Sequence, residues 1–141
     1  MILLDTNVVS AAMDRQPHLS VLSWLDHQRT ETLYISTVTI AEIGYGLNAL
    51  PAGKRRRELE ARFQRFVATG FAHRILLFDE AAARAYGEIM GHRRRRGRPM
   101  SALDGQIAAI ASANQIALAT RNVRDFEQSG IEVINPFDFS E

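Results

Sequence analysis

Short, uninterrupted apolar runs alternate with longer segments of helical period along this chain. "ILL" (Ile2–Leu4), "LYIS" (Leu33–Ser36), "ILLF" (Ile75–Phe78), "IALAT" (Ile116–Thr120) and "IEVIN" (Ile131–Asn135) read as five strands of three to five residues. Between them, helices are predicted from "DTN" to about Met13, over His18–Gln28 with Leu19, Leu22 and Leu25 as its apolar spacing, and over Thr37–Leu50, where "PAG" ends it. "KRRRELEARFQRFVAT" (from Lys54), Asp79–Arg96 and Ser101–Gln115 give three more, with Asp79 and Ser101 as N-caps, and "NVRDFEQSG" a short one. Strands apolar on both sides of the pleat are buried on both faces. The alternation therefore predicts an α/β fold: a short parallel sheet of four to five strands flanked by helices on both faces. In such sheets the functional crevice lies outside the carboxyl ends of the strands.

With 141 residues and no repeat, linker or low-complexity tract, the chain is expected to form one domain, residues 1–141. It has no cysteine, which excludes a disulfide framework and thiolate metal sites. No basic leader or membrane-length apolar run is seen, so a cytoplasmic protein without membrane contact is expected.

The carboxylates change the picture most. Asp5 follows the first strand directly, Glu42 lies inside the helix after the second, Asp104 is in the first turn of the helix entering the fourth, and Asp125 follows the fourth. Asp5 and Asp104 each have an ordinary reading as a capping residue, and Asp125 as a charge favoured at a helix start. Glu42, in "TIAEIGYG", has no Lys or Arg one turn away and is the hardest to assign a structural role. Together the acids recur at one end of the expected sheet. Clustered carboxylates without thiolates suit a hard, oxygen-seeking ion, Mg²⁺ or Mn²⁺, and such an ion supports hydrolysis of a phosphodiester.

"LLDTN", "STVTIAEI", "SALDGQIAAIA" and "LATRNVRDF", in that order, resemble the PIN-domain nucleases, closest to the FitB-like branch of the VapC toxins of toxin–antitoxin pairs. The likeness runs almost the whole chain. It implies a Mg²⁺-dependent endoribonuclease acting on structured RNA such as tRNA. It also implies a homodimer and a VapB-like antitoxin partner that blocks the active-site groove, with promoter DNA bound only through the antitoxin complex. The family's acids fall on Asp5, Glu42 and Asp104, with Asp5 and Asp104 as metal ligands. The fourth acidic position varies: some members carry it where this chain has Asn122, others where it has Asp125. Thr6, Asn7, Thr120 and Asn122 are expected to orient the carboxylates.

Of 17 Lys and Arg residues, only Lys54 is lysine, and net charge is +1. "HRRRRGRPMSALD" runs from one helix into the helix of Asp104, so Arg93, Arg94, Arg95, Arg96 and Arg98 are expected to grip RNA phosphates. The alternative is cations favoured at a helix C-terminus. Trp24, Phe63, Phe66 and Tyr86 read as core or dimer interface, and the four histidines are scattered. An aspartyl-phosphate enzyme built on Asp5 would need a nearby lysine, which Lys54 does not offer. A non-catalytic PIN-fold module for antitoxin and promoter binding is the remaining alternative.

Overall fold

A computed structural model describes residues 1–141. Five parallel strands form one sheet in the order β3-β2-β1-β4-β5, where β1 is Ile2–Leu4, β2 Leu33–Ser36, β3 Ile75–Leu76, β4 Ala117–Ala119 and β5 Val133–Ile134. β1 is central: Leu3 pairs with Tyr34 on one side and with Leu118 on the other. Successive side chains leave opposite faces of a strand, so Leu3 and Leu4 enter different cores. Leu3, with Leu118, packs against α5 (Glu80–Arg95) and α6 (Ala102–Ala113) through Ala82, Ile89, Ile107 and Ile110. Leu4, with Ile35 and Ala119, packs against α1 (Thr6–Met13), α2 (Leu19–Asp26) and α4 (Lys54–Gly70) through Val8, Val9, Val21, Trp24 and Phe63. Both leucines are essentially inaccessible, each worth about 1.5–3 kcal/mol of burial. α3 (Thr37–Asn48) sends Val38 into the first core and Ile43 into the second.

The expected architecture holds, and the differences lie at element ends. The third strand stops at Leu76 rather than Phe78 because its only partner, β2, turns into α3 after Ser36, the residue opposite Leu76. The fifth strand keeps only the two residues that pair with β4. After β4, a single 3₁₀ turn, Val123–Phe126, replaces the expected helix over 122–130. Glu127 is extended there, and Gln128 and Gly130 take positive φ, so the chain cannot continue helically. In α2 the leucine spacing misleads: Leu19 is 80% exposed, whereas Val21 and Trp24 carry the buried stripe. No helix is long and apolar enough to cross a membrane.

Candidate active site at the sheet's switch point

The sheet order places the topological reversal between β1 and β4: the chain leaves β1 toward β2 on one side and β4 toward β5 on the other. A crevice opens where such connections diverge. Asp5 and Thr120, the residues that follow these two strands, face each other across it. Asp5 N–H donates to Ala119 O at 2.9 Å, which extends the β1–β4 ladder by one residue and fixes the Asp5 backbone at the crevice mouth. Its side chain is only 4% exposed. Asp5 Oδ1 accepts from Thr6 N–H (2.8 Å), and Oδ2 accepts from the Thr120 hydroxyl (2.7 Å) and the Asn7 amide (3.3 Å).

Glu42 is held from the same turn. The Thr6 hydroxyl donates to Glu42 Oε1 at 2.8 Å and lies 3.1 Å from the Thr39 hydroxyl. A hydroxyl has one proton; Thr6 gives its own to Glu42, so Thr39 donates to Thr6. Ser36 caps α3 by accepting from Thr39 N–H, which sets the helix phase that aims Thr39 and Glu42 at α1. Thr39 is fully buried and was not singled out in the sequence. Its signal was the i, i+3 spacing to Glu42 in "TIAE", which puts both on one helix face.

Asp104 stands in the first turn of α6, whose N-cap Ser101 accepts from its N–H at 3.2 Å. Asp5 and Asp104 sense the acids around them. Burial pushes the Asp5 carboxyl up to about 6; the hydrogen bonds from Thr120 and Thr6 N–H oppose this, and the charges of Asp104 and Glu42 add to it. Asp104 is raised too, first by burial, then by Asp125 and Glu42, with Ser101 and Arg93 pulling it down. Asp125 itself is exposed on the 3₁₀ turn. None of the four has a Lys, Arg or His within 4.0 Å. The hydrogen bonds that hold Asp5, Glu42 and Asp104 come from neutral donors, and Arg93 acts on Asp104 only at a distance.

Asn7 joins this network as expected: its amide also donates to Thr120 Oγ1 (3.3 Å), and its Oδ1 accepts from Arg121 N–H (3.1 Å). Asn122 takes part differently. Its side chain is exposed, and it is its backbone N–H that donates to Thr120 Oγ1 at 3.1 Å. The arginines depart further from expectation. Arg93 is buried on the inner face of α5, one turn after Ile89, with Nη1 donating to Glu127 O. Arg98 pairs with the Glu127 carboxylate (3.1 Å) and reaches Arg124 O. Arg93 at the end of α5 and the partly exposed Arg98 just after it both reach the segment carrying Asp125, and the buried Arg93 finds its acceptor there through Nη1 while its Nε has none. Arg96 lines a groove with His92, Ser112 and Gly130. Ser112 lies eight residues along α6 from Asp104, about 12 Å by helix rise. Only Arg94 and Arg95 remain exposed without an acidic partner or such a groove.

A family described as the PIN domain matches residues 2–130. This chain belongs to the PIN-domain family. Curated relatives of this PIN domain include the plasmid stability protein StbB of Pseudomonas syringae pv. tomato, 44% identical over 98% of the chain and 99% of that protein. The VapC ribonuclease Y4jK of Sinorhizobium fredii is 43% identical with the same coverage. The toxin FitB of Neisseria gonorrhoeae is 39% identical over 97% of the chain and 99% of its own length. Among solved structures, FitAB bound to an IR36 DNA fragment superposes with a TM-score of 0.92 at 38% identity, covering 100% of this chain and 99% of that one.

Proposed function

We propose that this PIN domain is a divalent-cation-dependent endoribonuclease, the toxin of a toxin–antitoxin pair. One observation carries the reading: Asp5 is buried at the sheet's switch point, its carboxyl and that of Asp104 are raised by burial and by neighbouring acids, and no Lys, Arg or His lies within 4.0 Å of Asp5, Glu42, Asp104 or Asp125. The names of the relatives, a VapC ribonuclease and a toxin, support it.

The donor set fits Mg²⁺ or Mn²⁺. No three acidic or histidine side chains lie close enough to enclose an ion by themselves. Mg²⁺ is usually bound through one or two carboxylates and keeps several waters, with substrate phosphate completing its shell. Asp5 and Asp104 would hold the ion, and Glu42 and Asp125 would complete the acidic set. When bound, the ion supplies Lewis-acid polarisation of the scissile phosphate and activation of water. The chain's own residues do the rest. Thr120, Asn7 and Thr6 N–H lock the Asp5 carboxylate in one orientation, and Thr39 and Thr6 do the same for Glu42. A carboxylate oxygen left free of the ion would accept the proton of attacking water. Exposed Arg94 and Arg95 remain available for phosphate, and structured RNA such as tRNA is the substrate class.

The partner is an antitoxin whose segment covers the crevice, and the promoter is bound by the complex. A DNA-bound solved neighbour that covers the whole chain supports this. The chain is assigned to a cytoplasmic homodimer acting as a single domain. The test is cleavage of RNA by antitoxin-free protein in Mg²⁺ and in EDTA. Cleavage is expected in Mg²⁺ only, and lost in Asp104→Asn. Equal cleavage by Asp104→Asn, or in EDTA, refutes the reading; a folded protein that cuts no RNA but binds antitoxin establishes the non-catalytic module instead.

A further inference from the structure

With Arg93 and Arg98 engaged by Glu127, a second group of cations lies between the end of α1 and the start of α4. A groove of about 400 Å³ there is lined by Arg15, Lys54, Arg55 and Arg62, against Asp14 and Glu58. Arg62 is fixed by donating to Met13 O at 3.0 Å, and Lys54 stands 3.9 Å from Glu58. Arg15 and Arg55 are exposed, and neither has an ion-pair partner. A succession of lining residues leads from this groove toward Asp5. Asp14 also lines a second groove, with Ser10, Asn7 and Arg121, and Asn7 donates to Asp5. Arg121 is held at the junction, its guanidinium 4.3 Å from the Phe137 ring centroid. The path follows the outer face of α1 from Asn7 to Asp14, about 10 Å by helix rise, a reach of a few nucleotides.

We propose that this path is a track for the RNA backbone, with Arg15 and Arg55 binding the phosphates of a single strand that leaves the acidic crevice along α1. The proposal rests on the ribonuclease reading. Arginine forks suit phosphate oxygens, and a non-sequence-specific electrostatic grip lets the acidic site hold a polyanion that its own charge repels. An acidic protein segment is the rival occupant.

The test uses the full chain carrying Arg15→Glu and Arg55→Glu together. Arg57→Glu with Arg65→Glu, two exposed α4 arginines outside the groove, changes net charge equally and is the control. Anisotropy of a labelled single-stranded RNA in EDTA, across a salt series, is expected to show binding about tenfold weaker at low salt. The slope of log affinity against log salt should fall by about 1.4, since two phosphate contacts are lost. The control pair should change little. In Mg²⁺, KM for a long RNA should rise in the double variant with kcat unchanged, while a tetranucleotide confined to the crevice is cut as by wild type. Unchanged affinity and slope overturn the track. So does an equal loss in the control pair, which reports net charge alone. If RNA binding is unchanged and antitoxin binding is lost, the surface belongs to the protein partner. If wild type binds RNA with the expected slopes yet cuts none, the nuclease reading fails and the track stands.

Discussion

Asp5 is a carboxylate whose surroundings are arranged for a charge that the protein does not itself balance. Its pKa is raised from 3.8 to about 6, chiefly by burial. In metal-free protein the folded state therefore keeps this proton up to about pH 6, whereas the unfolded chain loses it near pH 4. The unfolded state binds fewer protons in that window, so stability falls as pH rises through it and is fully present only below it. Asp5→Asn removes this loss. In EDTA at neutral pH the variant should melt higher than wild type, by roughly 1 kcal/mol or more, and the difference should vanish near pH 4. Thermal melts at the two pH values check this. A divalent ion competes with the same proton, so RNA cleavage is expected to fall as pH drops through about 6. Thr120 supplies the hydrogen bond that most opposes the burial of Asp5. Thr120→Val should move the acid limb of the cleavage profile to higher pH and lower activity about tenfold, while Thr120→Ser restores both. A profile unmoved by Thr120→Val would mean that the hydroxyl is only structural.

Gly105 shows how closely two elements must approach to present the site. It follows Asp104 on α6, and a Cβ there would meet Met90 Sδ at 2.5 Å and Tyr86 Cε2 at 3.0 Å on α5. Gly105→Ala is expected to destabilise by about 1–3 kcal/mol through overpacking, read by denaturant midpoint, and to lower cleavage by displacing the first turn of α6. At this scale the sequence was legible where caps and apolar runs were strong. Ser101, Asp79 and the short strands after Met1 and Thr32 stand where the pattern put them. It was less legible where tertiary packing decides. The leucine spacing of α2 could not reveal that Val21 and Trp24 face the core. The run of four arginines could not reveal that α5 buries Arg93 while leaving Arg94 and Arg95 in water, because one residue turns a helical side chain by about 100°. Thr39 was hidden for a related reason: its value lies in the hydrogen bond it donates to Thr6, an element away.

For the whole molecule, strand order does what no local pattern states. Acids that are distant in sequence come to one crevice because β1 and β4 are neighbours and the chain departs from them in opposite directions. Asp5 stood out as a candidate from its place after an apolar strand; its pairing with Thr120, 115 positions away, follows only from that order. The resulting surface has two characters, an acidic crevice and an arginine-lined groove reached along α1, although net charge is only +1. The claim on which the functional reading depends is that the crevice holds one divalent ion through Asp5 and Asp104. Titration of Mn²⁺ into antitoxin-free protein, followed by the electron paramagnetic resonance signal of free Mn²⁺, measures it directly. One ion per chain is expected at neutral pH, displaced by Mg²⁺, weakened below about pH 6 and lost in both Asp5→Asn and Asp104→Asn. Binding that is unchanged in those two variants would contradict the account.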